Sequence, residues 1–437
     1  MASVSYATPP ALRARHWFYL GLVIFFLAGS VQYLTKIQKT AQPERSAIQR
    51  WLPQLDDLGR RENIWEKHNF PYPPIMALLL LPLSCLGPLG AALIWFLLKA
   101  VLTVAAIAMI FSMIESRGLP FPLVAKVLAV LLSMRAIQGD LIHGNINLFI
   151  LFLVAGSLFA FTQKRDAAAG MLLALAVACK VTPALFLPYF LWKRAWRTFF
   201  AAAASLPLFL FVLPSAFLSW QTNAACLASW YDNMARPFLT EGEVLYTKHT
   251  NQSLPALAER LLTRSPSFTR YEEDEYKAVE YHNLADLDPH VVDWLVRAVM
   301  IAFAGLVMWS CRTPLSERCG WRMAAEFGVV LLGMLLFSER TWKHHCVTLL
   351  VPFAVLSYLL VTRWSERGLR WYLVASLIIS TLLMLATSTG LTDGHDRLGK
   401  LVQVYGGYTW SFVALLAAIF WILRTTAQDL DGTMNGA

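Results

Sequence analysis

Charged residues are what this sequence has least of. Only 15% of its 437 residues are Asp, Glu, Lys or Arg, against about 25% in a soluble domain. So few charges cannot coat a water-facing surface, which excludes a soluble enzyme. The 57% hydrophobic content excludes a disordered chain, which would lack apolar surface to bury. Cysteine is scarce as well. The six are Cys85, Cys179, Cys226, Cys311, Cys319 and Cys346. None stands at metal-ligand spacing from a histidine, and most fall in or beside apolar segments. That excludes a disulfide-stapled secreted module and reads the cysteines as small core residues. A cleavable signal is missing too. The run 17–34 follows Arg13 and Arg15, is too long for a signal-peptide core and has no small-residue cleavage site, so it is expected to stay as an anchor. No internal repeat is visible, and no polar stretch is long enough for a soluble domain with its own core.

What is present in excess is apolar length. Mean hydropathy is +0.51, with 16 tryptophans and 26 phenylalanines. A membrane-crossing helix takes about 20 mainly apolar residues. The candidates are 17–34, 91–113, 119–134, 147–163, 169–191, 198–219, 290–311, 323–338, 344–362, 371–389 and 405–424, with a shorter apolar stretch over 73–88. The expectation is an all-α polytopic membrane protein of about 11–12 membrane helices, forming a single domain over residues 1–437. Two polar segments stand out, 35–72 and 221–289. The net charge of +9 lies in short loops between apolar runs, where the positive-inside bias puts it, and needs no nucleic acid to explain it.

The same bias sets the orientation. Arg13 and Arg15 put the N-terminus in the cytoplasm, so 35–72 faces outside. Lys193, Arg194 and Arg197 are inside, which sends 221–289 outside. Arg312, Arg318 and Arg322 are inside, as are Arg363, Arg367 and Arg370, leaving 339–343 and 390–403 outside. A full crossing by 73–88 would strand Lys164 and Arg165 outside. The bias is obeyed if 73–88 is a shallow interfacial helix, 91–113 crosses, 135–145 faces outside, and 169–191 enters and returns. Pro183 and Pro188 would break that last stretch into two half-helices, tolerable where protein or a cavity satisfies the freed backbone. Every polar cluster then gathers on one face.

Three clusters carry possible chemistry. The segment 35–72 holds the carboxylates Glu44, Asp56 and Asp57, any of which could act as a general base near the membrane surface, and ends in Phe70-Pro71-Tyr72-Pro73-Pro74, a stiff re-entry. The segment 135–147 holds Arg135, Asp140, His143, Asn145 and Asn147, donors and acceptors suited to a polyhydroxyl ligand. Beyond it, Lys180 stands deep in an apolar stretch. A mid-membrane lysine costs roughly 3 kcal/mol to insert and usually faces a cavity or partner; a phosphate would account for its depth and charge. The third cluster is Arg340, Trp342, Lys343, His344 and His345. Adjacent histidines point about 100° apart on a helix, and no cysteine or carboxylate stands at ligand spacing, so no metal and no cofactor is expected. Histidine with arginine and lysine better suits phosphate or sugar hydroxyls.

These pieces, in this order, resemble the membrane glycosyltransferases of the GT-C class, and more closely glycosyltransferase family 87, which includes polyprenol-phosphate-mannose-dependent mannosyltransferases. The matching stretches are Tyr72-Pro73-Pro74 with the apolar run after it, Gly144-Asn145-Ile146-Asn147, Lys180-Val181-Thr182-Pro183, Asn251-Gln252-Ser253-Leu254 and Trp342-Lys343-His344-His345. The resemblance implies a GT-C-type fold with an interfacial helix after the first outer loop and one long outer loop. It implies inverting transfer of a hexose such as mannose from a polyprenyl-phosphate donor to an acceptor hydroxyl at the outer face, with an aspartate of the first outer loop as base. In this sequence the corresponding place, near Arg45-Ser46-Ala47, holds no aspartate; Glu44 is adjacent and Asp56-Asp57 come later.

The resulting expectation assigns Asp56, Asp57 or Glu44 as catalytic base. Lys180, Arg135, Arg340 and Lys343 would hold the donor phosphate, and His143, Asn145, Asn147, Asn251, Trp342, His344 and His345 would line the sugar and acceptor site. The partners are a polyprenyl-phosphate sugar, a glycolipid or glycan acceptor and the lipid bilayer, with no nucleic acid. The expected location is a bacterial cytoplasmic membrane. A transporter or flippase of lipid-linked saccharide shares the buried lysine and broken helix, and a non-catalytic glycolipid-binding relative would share the rest. The lack of an inverted repeat speaks against the transporter.

Overall fold

A backbone in lipid has no water to bond, so apolar runs must satisfy their own hydrogen bonds as helices. A computed structural model describes residues 9–39, 46–115, 120–236, 246–272, 275–388 and 396–434, and it is helical almost throughout. The N-terminal part runs α1 (Pro9–Lys39), α2 (Ala47–Gly59), α3 (Ile64–His68), α4 (Pro74–Leu80), α5 (Gly87–Ile114), α6 (Leu123–His143), α7 (Asn147–Thr162) and α8 (Asp166–Cys179). Among the described residues, seven helical stretches are long and apolar enough to cross a membrane: His16–Thr35, Pro74–Ile114, Trp196–Leu218, Pro289–Ser310, Lys343–Thr362, Arg367–Ala386 and Gly407–Thr425. The remaining apolar runs form α6, α7, α8 and the helix Trp321–Phe337. The chain is an all-α polytopic membrane protein.

Local sequence explains how the irregular parts form. α4 has seven residues, about 10 Å at 1.5 Å per residue, a third of a bilayer crossing. A 3-10 turn, Leu81–Leu86, separates it from α5. The stretch 169–191 is broken. α8 stops at Cys179, Lys180 is extended (φ −156°, ψ 122°), and the chain continues through the 3-10 turn Thr182–Leu185 into the helix Phe186–Trp192. Pro183 supplies the break, because it has no N–H to continue α8.

Two features differ from expectation. The loop expected over 135–145 is helical up to His143 and ends at Gly144, which is left-handed with φ 66°. The polar residues past Arg135 do not end the helix, and Asp140 among them is fully buried. The segment 221–289 contains an antiparallel hairpin, Pro266–Glu272 with Glu275–Tyr281, whose Phe268, Thr269, Tyr271, Tyr276 and Val279 suit strands.

Polar clamps hold the end of the bundle away from the site. Arg318 pairs with Asp166, and buried Glu326 takes Lys193 at 2.9 Å, the Tyr189 hydroxyl at 2.7 Å and the Thr313 amide at 2.6 Å. α7 separates Asp166 from Asn147 by its 16 residues, about 24 Å of helix. α8 packs so tightly on the helix Trp196–Pro207 that a Cβ on Gly170 would lie 2.5 Å from the Thr198 carbonyl. Small residues allow such close helix approach in membranes.

Candidate active site

The site grows from one buried carboxylate. Asp140, on the last turn of α6, is fully buried. Its Oδ2 accepts the Leu148 amide at 3.1 Å and lies 3.5 Å from the Lys99 ammonium, which also donates to the Asp140 carbonyl at 2.7 Å. Its Oδ1 accepts Asn147 Nδ2 at 3.4 Å. Asn147 thereby turns its own Oδ1 toward Lys180, whose ammonium donates to it at 2.6 Å. The chain Lys99–Asp140–Asn147–Lys180 joins four helical elements into one network, and the break after α8 is what aims Lys180 into it. Lys180, Asn147 and His345 border a small void of about 30 Å³.

A second chain fixes the histidines. The Ile146 amide and the Tyr72 hydroxyl each donate to Asn145 Oδ1 at 2.7 Å. A backbone N–H requires an acceptor, so the Asn145 amide is oriented, and its Nδ2 donates to His344 Nε2 at 3.1 Å. His344 Nε2 is then the unprotonated nitrogen and Nδ1 carries the hydrogen. His345 Nδ1 lies 3.0 Å from the Arg340 carbonyl and 3.4 Å from the Trp342 amide, which fixes the ring beside this segment. His143 and Trp342 pack against His344, with ring centroids at 5.3 and 5.5 Å. Tyr72 is wedged by Trp51 and Phe70, and burial holds its phenol neutral by pushing its pKa up. Gly144 meets the start of α2, where a Cβ would stand 2.6 Å from Ser46 Oγ.

The structure brings Lys180, Asn145, Asn147, His143, Trp342, His344 and His345 together. It uses other expected residues differently. Asn251 donates to the carbonyls of Tyr246 and Glu339 and accepts the amides of Ser253 and Thr341. An amide has two donors and two acceptor positions, so all four go to backbone, and Asn251 clamps the loop around 246–253 to the segment before Trp342. Arg135 donates to the Met384 carbonyl and Lys343 to that of Thr387 at 2.7 Å. Both cap the C-terminal end of the helix Arg367–Ala386, where cations are favoured. Arg340 contributes its carbonyl to His345. Asp56 is exposed on α2, and Asp57 is held by His68 at 2.7 Å and Lys67 at 2.8 Å. Those partners hold the Asp57 carboxyl below the usual range, His68 most strongly. Glu44 lies outside the described residues. Sequence reasoning assigned no role to Lys99, although it is the single charged residue of the run 91–113 and the argument made for Lys180 applies to it.

The same loop adds His249, whose ring packs at a tilt against Phe268, with centroids 4.5 Å apart. Burial pushes its pKa down to about 4, and Lys248, Arg260 and Lys400 add to this against a bond to Ser267. The folded protein therefore binds fewer protons here than the unfolded chain. This stabilisation is complete above the ordinary value of 6.5, declines as pH falls, and levels off below about 4. Amide exchange over residues 246–263, corrected for intrinsic rates, is expected to accelerate between pH 6.5 and 4. His249→Asn should lose that acceleration.

A multi-helix membrane protein with a buried lysine, amides and histidines beside one long loop has the makings of a membrane transferase for a phosphorylated, hydroxyl-rich substrate. The sequence model of glycosyltransferase family 87 matches residues 70–339, and the chain belongs to that family. It is a membrane glycosyltransferase. Among curated proteins it is 25% identical over 366 residues to a polyprenol-phosphate-mannose-dependent alpha-(1-2)-phosphatidylinositol mannoside mannosyltransferase of Mycobacterium tuberculosis, covering 81% of this chain and 74% of that one. The protein of the same name from Mycolicibacterium smegmatis is 24% identical over 303 residues, 68% of this chain and 60% of its own length.

Proposed function

We propose that the protein transfers mannose from a polyprenyl-phosphate donor to a hydroxyl of a glycolipid acceptor, with inversion, at the outer face of a bacterial cytoplasmic membrane. The relatives' donor and acceptor support the substrates, and Arg13 and Arg15 support a cytoplasmic N-terminus. The observation that carries the mechanism is the bond from Lys180 to Asn147 beside His344 and His345. As the acceptor oxygen bonds to the anomeric carbon, the bond from that carbon to the phosphate oxygen breaks. Lys180, held in place by Asn147, stabilises the charge gathering on the leaving phosphate. His344 Nδ1–H and Trp342 orient the sugar. The acceptor proton goes to a carboxylate.

Glu44 is the carboxylate we assign. α2 begins beside Gly144, where Ser46 meets it. Asp57 stands at the other end of α2, about 16 Å from Ser46 along the helix, paired with Lys67 and His68, and a carboxyl of lowered pKa is a weak base. Glu44 stands two positions before Ser46 in the sequence. In proteoliposomes with polyprenyl-phosphate mannose, Glu44→Gln is expected to lower kcat at least about 100-fold, within the range of general-base removal. Asp56→Asn and Asp57→Asn should remain within about threefold of wild type. A Glu44→Gln protein of full activity would refute the assignment, and loss in Asp57→Asn would move the role there.

A further inference from the structure

Beside the network stands a cation that none of its bonds uses. Arg50 is the single basic residue of α2. Its amide closes the first turn of α2 on the Ser46 carbonyl at 3.2 Å. Residues four apart share one face of a helix, so Arg50 lies one turn on from the Ser46 that meets Gly144. The next residue, Trp51, lies edge to face against Tyr72, with ring centroids 5.5 Å apart. Arg50 is thus set beside the chain Tyr72–Asn145–His344, close enough to the phenol and the His344 ring to act on both electrostatically. It is exposed, and its guanidinium forms no hydrogen bond or ion pair with a described residue. Asp57 of the same helix is taken by His68 and Lys67. Positive charge is in excess here. Lys180 and Lys99 also act on His344, and against these three cations the network sets one carboxylate, Asp140, which faces Lys99 at 3.5 Å. Like charges gathered at a partly dry site repel one another until an anion joins them.

We propose that Arg50 is a second catalytic cation, which together with Lys180 holds the phosphate as it leaves. This role rests on the transferase reading above. In the donor the phosphate is a diester with a single negative charge. As the acceptor oxygen bonds to the anomeric carbon, the electron pair of the breaking carbon–oxygen bond stays with the phosphate. The acceptor's proton goes to the carboxylate base, and the polyprenyl phosphate becomes a monoester that carries a second negative charge. Lys180 matches the first charge and Arg50 the second. A guanidinium has only donors, its planar fork fits two phosphate oxygens at once, and it keeps its proton. Because the second charge exists only as the bond breaks, Arg50 acts on the transition state more than on the bound donor.

Two lipids of different charge test this without turnover. Purified protein in nanodiscs would be titrated calorimetrically with farnesyl phosphate, a monoester, and with mannosyl farnesyl phosphate, a diester, at about pH 7.5, where a monoester carries close to two charges. Arg50→Gln should weaken farnesyl phosphate at least about tenfold, the scale of a charge-assisted hydrogen bond, and the diester less than about threefold. In proteoliposomes its kcat should fall at least about tenfold with the donor KM within about threefold. Arg50→Lys, which keeps the charge without the fork, should recover part of both losses. Equal affinity of wild type and Arg50→Gln for farnesyl phosphate overturns the proposal, since Arg50 is exposed and its glutamine variant keeps the fold. An equal loss for both lipids overturns the transition-state role and makes Arg50 a contact of the bound donor. A normal kcat with a raised acceptor KM overturns it too and moves the residue to the acceptor. Selective loss of farnesyl phosphate in Arg50→Gln, beside a wild type that transfers no sugar, refutes the transferase mechanism while sustaining Arg50 as a phosphate ligand.

Discussion

Lys180→Ala is expected to abolish sugar transfer, lowering kcat/KM at least about 100-fold, the loss seen when one preorganised donor is removed from a developing anion, while the protein stays folded. The fold survives because Lys180 lies at the break itself. Its amide closes α8 on the Ala176 carbonyl, which alanine does equally well, and removing a buried ammonium removes its insertion penalty. Activity does not survive, because nothing else in the network offers the leaving phosphate a full positive charge from that side. Lys99 is bound to Asp140, and Arg135 and Lys343 cap the end of another helix. Asn147→Ala should produce a smaller loss, about tenfold, because it frees Lys180 from its one oriented bond without deleting the charge. Initial rates with radiolabelled donor separate the two. Equal losses would make Asn147 a contact of the substrate instead of a positioning residue.

Lys99→Met is expected to be the most destabilising single change in the network, by about 3–5 kcal/mol, the cost of leaving a buried carboxylate unpaired. Both side chains of the pair are fully shielded from solvent. Asp140 would keep its bonds to Leu148 and Asn147 but lose the countercharge. The protein should respond by protonating Asp140 or by moving it, and either disturbs Asn147 and with it Lys180. Unfolding midpoints in detergent should therefore fall together with activity. Lys99→Met combined with Asp140→Asn should regain much of the stability, since a neutral amide needs no countercharge, giving a non-additive cycle. Additive effects would mean that the pair is not coupled.

Much of the fold was legible because lipid leaves the backbone so few options. Apolar runs of adequate length became helices, and Pro183 marked a place where a long run had to break. What escaped is what hydropathy does not measure. α6 continues past Arg135 to His143 because Asp140 is buried against protein and Arg135 bonds the Met384 carbonyl. The hairpin Pro266–Glu272/Glu275–Tyr281 forms in a segment whose polarity hid its strand-forming residues. Of the site, Lys180, Asn147, His344 and His345 announced themselves by being polar in or beside apolar surroundings. Asn251 did too, but a polar residue in an odd place serves backbone as readily as ligand, and only the four bonds to Tyr246, Glu339, Ser253 and Thr341 show which. Lys99 passed unnoticed because its countercharge, Asp140, is 41 residues away in the chain.

The central claim is that this protein moves a sugar between lipids. Wild-type protein in liposomes with polyprenyl-phosphate-linked radiolabelled mannose and a glycolipid acceptor tests it most directly, with the anomeric configuration of the product read by NMR. The account predicts label on the acceptor with inverted configuration, and none with Lys180→Ala. Labelled donor that crosses the bilayer while the acceptor stays unlabelled would contradict it and make the protein a transporter of lipid-linked sugar.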